Sequence, residues 1–161
     1  MGKIVSPKNI KNIVSKIKRE NKSISLCGGC FDILHPGHLH LLNYAKAQTD
    51  YLFVLLENDL NIKKRKGDTR PIFDQKQRAQ VLSFLNMVDV VVLLPKKMED
   101  QDYDDLVMKI SPDVIVTTQN DSFIQHKIRQ AKKVSASLQK APFLPEFSTS
   151  KIVNLIKNKL T

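Results

Sequence analysis

Apolar residues fall along this chain in two rhythms: short unbroken runs, and stripes spaced three and four positions apart. Unbroken runs occupy Ser23–Gly28, Tyr51–Leu56, Asp89–Leu94 and Asp113–Thr118, with a weaker one at Val134–Leu138. Runs of this length suit strands covered on both faces. The stripes lie before and between them. Ser6-Pro7 reads as a cap followed by proline at the first helical position, and Ile10, Ile13, Val14 and Ile17 follow at helical spacing. Pro36 opens a second helix carrying Leu39, Leu42 and Ala45-Lys46. Asp74 caps a third, in which Val81, Leu85 and Val88 share a face with Leu82 nearby. Further helices are predicted over Gln101–Ile110, stopped by Ser111-Pro112, over Ser122–Ala131, and over Ser148–Leu160. Asn58–Asp74 is polar and basic, contains Gly67 and Pro71, and reads as the longest loop. Loops of that length are usually functional or mobile.

Strands alternating with helices predict an α/β fold, a Rossmann-like doubly wound parallel five-stranded sheet with helices on both faces. Residues 1–161 read as one domain, with an N-terminal helix in 1–21 and the core plus a C-terminal helix in 22–161. In such sheets ligands bind beyond the carboxyl ends of the strands, where the strand order reverses. The end of the first run is therefore the place to look for chemistry.

Composition narrows the partner. Twenty-six Lys and Arg against sixteen Asp and Glu leave a net charge of +10, which favours an anionic ligand. No apolar run approaches the roughly 20 residues a membrane span needs, and no signal pattern opens the chain. Two cysteines are too few for a secreted scaffold, so a cytoplasmic, reducing setting is expected. Aromatics at 6%, without tryptophan, give few stacking platforms for RNA, so nucleic acid is not the expected partner.

The end of the first run reads Gly28-Gly29-Cys30-Phe31-Asp32-Ile33-Leu34-His35-Pro36-Gly37-His38. His35 lies just before a helix start and His38 in its first turn, so both imidazoles can face one anion. The helix N-terminus adds free N–H groups and partial positive charge. Gly37 removes a side chain that could block a phosphate. Cys27 and Cys30 also form a C-x-x-C pair, but no helix follows at once as a redox motif needs, and the spacing to the histidines is too short for a zinc finger. They read as a buried strand residue and a small loop residue.

This segment resembles the HxGH signature of cytidylyltransferase-like nucleotidyltransferases, and GCFDILHPGH resembles the adenylyltransferase domain of bifunctional ADP-heptose synthases in particular. Glycerol-3-phosphate cytidylyltransferases and archaeal FAD synthetases carry similar strings. Lys66-Gly67, Arg70-Pro71-Ile72 and Arg78 resemble the family's basic loop and helix arginine. Val88-Asp89, Ser111-Pro112-Asp113-Val114 and Ser148-Thr149-Ser150-Lys151-Ile152 resemble its later landmarks. The resemblance implies transfer of AMP, or CMP, from a nucleoside triphosphate to a phosphorylated small molecule with release of pyrophosphate. A catalytically silent nucleotide-binding protein is the alternative of another class.

The resemblance also implies roles. His35, His38, Lys66 and Arg78 would be catalytic. Gly29, Cys30, Phe31, Asp32, Gly37, Gln119, Asn120, Ser148, Thr149 and Ser150 would join the histidines in holding the nucleotide. Asp32 could orient a metal or a donor. Mg²⁺ would bridge phosphate oxygens with ligands from water and substrate, and no residue is expected as a dedicated metal ligand. Of the run Lys63–Lys66, one or two residues at most are expected to touch ligand. A homodimer is implied. The glycine-rich turn that relatives carry after the fourth run is replaced by Thr117-Thr118-Gln119-Asn120-Asp121, which leaves ATP and CTP both open. No sugar-kinase domain of the kind fused to many heptose enzymes is expected within these 161 residues.

Overall fold

The computed structural model describes residues 1–142, 144 and 147–160, apart from the side chains of 154, 157, 158 and 160. Six strands form one parallel sheet: β1 (Lys3–Val5), β2 (Ile24–Gly29), β3 (Tyr51–Leu56), β4 (Val90–Leu93), β5 (Val114–Thr118) and β6 (Ser137–Ala141), in the order β1-β4-β3-β2-β5-β6. Five of these are the predicted runs. The sixth, β1, is a three-residue edge strand paired with β4, too short to show as a run. β3 matches its predicted bounds because its apolar residues are sealed on both faces; five of its six are buried. β6 begins three residues later than predicted, because Val134 completes the preceding helix.

The helices are α1 (Ile10–Arg19), α2 (Pro36–Lys46), α3 (Asp59–Lys66), α4 (Gln75–Ser83), α5 (Asp100–Ile110), α6 (Ile124–Val134) and α7 (Thr149–Leu160). Pro7 opens a single 3-10 turn rather than α1, and the Ser6 side chain makes no capping bond. The expected loop at 58–74 contains α3. Its only buried residue is Ile62, so no apolar stripe announces it, and the Asn58 side chain starts it by accepting the Asn61 N–H at 2.9 Å. Asp74 caps α4 as expected, exchanging bonds with Gln77 in both directions. The face differs from the prediction: Ala79 and Leu82 are buried, Val81 is half exposed, and the helix ends before Leu85 and Val88.

Two cores result, one on each face of the sheet. Ile10, Val14 and Ile17 of α1 pack with Leu106, Val107 and Ile110 of α5 over Leu26, Phe53 and Ile115. Leu41, Leu42 and Ala45 of α2 pack with Ala79 and Leu82 of α4 over Leu52, Val54 and Val91. Burying an apolar side chain of this size is worth about 1.5–3 kcal/mol, so these layers fix the sheet and its register.

The two edges of the sheet are finished differently. At the amino edge, Asp50, Asp89 and Asp113 accept the backbone N–H of Ser23, Leu52 and Ile24 at 2.9, 2.7 and 2.8 Å. Each also pairs with a lysine: Lys22, Lys46 and Lys18 respectively. At the carboxyl edge the chain runs from β2 to β3 on one side and reaches β5 on the other, so a crevice opens beyond β2.

Candidate active site

His35 takes the capping position of α2 in an extended conformation, and its carbonyl accepts the N–H of His38 at 2.9 Å. This turn brings the two imidazoles face to face, with centroids 3.7 Å apart and planes 24° from parallel. Both Nδ1 atoms are buried without a hydrogen-bond partner among the described residues. His35 is buried and its pKa is lowered by desolvation and by Lys66. His38 is pushed down to about 3, first by desolvation, then by His35 and Lys66. The pair is therefore neutral at pH 7. Gly37 lies on the wall of the same cavity, and a Cβ there would lie 3.1 Å from the His35 ring, so the missing side chain also leaves room for that imidazole.

These groups line a cavity of about 210 Å³ together with Lys66, Thr118, Ser148, Thr149 and Ser150. No carboxylate is among its described lining residues. Ser148 caps α7 by accepting the Lys151 N–H at 3.2 Å, and Thr149 is buried with its hydroxyl 3.5 Å from the Ile33 carbonyl. The start of α7 thus meets the start of α2, and two helix N-termini converge on one basic cavity.

Several predicted residues serve elsewhere. Phe31 is buried, with its ring 5.1 Å from His38, and holds a left-handed backbone with φ 45°. Gly29 makes this possible, since a Cβ there would lie 2.9 Å from the Phe31 ring. Asp32 is buried, so it is not a free donor site. Its Oδ2 accepts from Arg70 Nε at 2.5 Å, and its Oδ1 from the N–H groups of Ile72 and Phe73 at 2.8 and 3.1 Å. It pins the segment between α3 and α4. Arg78 lines neither this cavity nor the next and is fully buried. Its guanidinium donates to the carbonyls of Phe73 at 3.0 Å, Glu57 at 2.8 Å and Cys30, and to Asp59 at 2.6 Å. It is a tie between the ends of β2 and β3 and the start of α4. Gln119 and Asn120 are exposed and line neither cavity.

A second cavity, about 300 Å³, opens on the other side of the β2 end. Gly29 and Cys30 line this one, not the histidine cavity. Its floor is Leu26, Leu55 and Ile115, and its polar wall includes Glu57, Arg65, Tyr103, Asp121 and Lys127. Glu57 Oε2 accepts from Arg65 at 2.8 Å and from the Tyr103 hydroxyl at 3.1 Å. Burial and Glu57 together push Tyr103 up to about 12. Asp121 accepts from Thr117, from Lys127 and, at 2.8 Å, from the Phe123 N–H, so a carboxylate shapes the turn that lacks glycines. Arg65 stood in the basic run and Asp121 in the turn without glycines, whereas Glu57, Tyr103 and Lys127 did not stand out in the sequence. For these the one available signal was Glu57, a carboxylate placed directly after the most apolar run in the chain. Cys27 is buried, and burial pushes its thiol up to about 12; both cysteines are free.

A doubly wound parallel sheet whose switch point holds a cavity with no carboxylate among its described lining residues is a Rossmann-like α/β domain. The family profile described as cytidylyltransferase-like matches residues 26–155, and the chain belongs to that family. It is 34% identical over 153 residues to the bifunctional protein HldE of Campylobacter jejuni subsp. doylei, covering 94% of this chain and 32% of that one. It is 40% identical over 115 residues to the HldE of Rhodospirillum rubrum, covering 71% of this chain and 22% of that one. The chain spans about a third or less of these relatives' length. Among solved structures, a lipopolysaccharide core biosynthesis protein from Thermoplasma volcanium superposes with TM-score 0.61 at 26% identity, covering 76% of this chain and 97% of that one. Pantoate-beta-alanine ligase from Francisella tularensis superposes with TM-score 0.64 at 17% identity, covering 98% of this chain and 77% of that one, a likeness of fold. No helix among the described residues is long and apolar enough to cross a membrane.

Proposed function

We propose that the chain transfers a nucleotidyl group, AMP ahead of CMP, from a nucleoside triphosphate to a phosphorylated sugar, with D-glycero-β-D-manno-heptose 1-phosphate as the favoured acceptor. The observation that carries this reading is the pairing of two unlike cavities on either side of one strand end. The basic cavity suits a polyphosphate: stacked imidazoles, Lys66 and two helix N-termini offer donors, with no competing carboxylate among the described lining residues. The larger cavity, with an apolar floor and a polar wall, suits the hydroxylated body of the acceptor. The relatives named HldE support the sugar class.

In the step itself an oxygen of the acceptor phosphate bonds to the α-phosphorus. The bond from that phosphorus to the β-bridging oxygen breaks, and pyrophosphate leaves with the electron pair. The side chains supply no covalent intermediate; they hold two mutually repelling anions together and offset the charge between them. His38 enters neutral because burial, His35 and the nearby Lys66 disfavour its charged form, and a bound triphosphate raises its pKa.

Magnesium fits this site only as a companion of the substrate. Asp32, the acid nearest the histidines in sequence, spends both oxygens on Arg70 and two amides, and no described group of three acidic, histidine or cysteine side chains forms a cage. Bound with the triphosphate, the ion would neutralise phosphate charge; no protein ligand is assigned to it. A homodimer is part of the proposal, supported by the family resemblance.

The test is pyrophosphate release with magnesium, using ATP and CTP separately against heptose 1-phosphate, glycerol 3-phosphate, FMN and phosphocholine. Turnover with ATP and the heptose phosphate is expected. Turnover with CTP and glycerol 3-phosphate alone would replace the substrate pair. Silence throughout, with ATP still bound, would leave a nucleotide-binding protein.

A further inference from the structure

Arg65 and Lys66 are consecutive, yet they serve different cavities: Arg65 lines the larger one and Lys66 the histidine one. The last turn of α3 thus straddles the seam between them. Cys30 marks that seam, since its thiol lies within the electrostatic reach of both cations. Resting on the transfer reading above, we propose that Arg65 is the residue that receives the acceptor phosphate, while Lys66 serves the triphosphate.

Three features set Arg65 apart from the other cation on that wall. It is held in place from two sides: Nη2 donates to Glu57 at 2.8 Å, and the guanidinium lies 4.9 Å from the centroid of the Phe123 ring. It keeps donors to spare. Glu57 also accepts from the Asn58 N–H and Nδ2 at 2.9 Å, from Asn61 Nδ2 at 3.1 Å and from Tyr103, so the carboxylate does not need the whole fork. One N–H of the five goes to Glu57, and a planar fork with free edges matches a phosphate in two-pronged fashion. Finally it is reachable, with 40% of its side chain exposed, whereas Lys127 has 21% exposed and is engaged by Asp121 and Thr117. Glu57 and Phe123 line the same cavity and act on the acceptor phosphate as positioning residues, by holding Arg65.

The experiment is steady-state kinetics by pyrophosphate release, run on the panel above for wild type, Arg65→Ala, Arg65→Lys and Phe123→Ala, with thermal unfolding of each as the control for folding. Arg65→Ala is expected to raise the acceptor KM about tenfold or more and to leave the nucleotide KM within about twofold. Free guanidinium ion should restore part of that loss. Arg65→Lys should recover little, because a point charge does not reproduce the fork. Phe123→Ala should raise the acceptor KM by about threefold. An Arg65→Ala enzyme with an unchanged acceptor KM, or one whose nucleotide KM rises instead, overturns the assignment while leaving transfer intact. A folded wild type silent on the whole panel takes down the transfer reading and this assignment with it.

Discussion

The two cavities at the carboxyl edge differ in how their charges are matched. In the larger one each cation has an acid, Arg65 paired with Glu57 and Lys127 with Asp121, and Asp100 adds a third carboxylate to the wall. In the smaller one Lys66 and two imidazoles stand without any carboxylate on the described wall. A cavity whose cations are paired recognises mainly shape and hydroxyl pattern, with the spare N–H groups of Arg65 at its seam left for a single phosphate, whereas an unpaired one is held open for the larger charge of a triphosphate. The desolvated, neutral state of His38 is the signature of the second kind.

The sharpest break of this contrast is His38→Ala. Loss of a preorganised donor at the reacting phosphate should cost about 100- to 1,000-fold in kcat, read by pyrophosphate release. Turnover within about threefold of wild type would mean that the unmatched cavity does not face the chemistry. Arg78→Met probes the tie beneath both cavities. It strands three carbonyls and Asp59, and should destabilise the fold by about 2–4 kcal/mol, seen as a lower thermal midpoint. Loss of activity with an unchanged midpoint would instead make Arg78 a ligand-contacting residue.

Two smaller effects follow from His38. Its free-protein pKa of about 3 lies below the ordinary 6.5, and an anion at the site raises it. Nucleotide binding near pH 6 should therefore take up a fraction of a proton. Calorimetry in buffers of different ionisation enthalpy measures this, and His38→Gln should reduce it. The same depression links to folding. Because the unfolded state binds the proton more tightly, the contribution of His38 to stability is full above about pH 6.5 and is lost as pH falls towards about 3. Across that window the thermal midpoint of wild type should fall more steeply than that of His38→Gln. Equal slopes would mean that the imidazole is as hydrated in the fold as in the unfolded chain.

The contrast between the cavities also shows what a sequence can carry. The basic cavity was legible because its parts sit close together: His35, Gly37 and His38 span four positions, and Ser148–Ser150 form one cap. The larger cavity was not, because Glu57, Arg65, Tyr103, Asp121 and Lys127 are brought together only by the sheet order. Helix α3 stayed hidden since a single buried Ile62 leaves no period to read. Arg78 and Asp32 showed their importance but not its kind. A buried ion and a catalytic ion look alike in sequence, and only the count of hydrogen bonds at each atom separates them.

The finishing of the sheet's two edges has a kinetic consequence. At the amino edge each lysine neighbours the aspartate that caps a strand, so the field there largely cancels. Lys66 at the opposite edge has no such acid among the described residues of its cavity wall, and the molecule as a whole carries +10. A polyanion diffusing nearby is drawn towards one end of the molecule before it touches any side chain. Encounter rates with a triphosphate should then fall as added salt shortens the reach of that field to about 10 Å at 0.1 M.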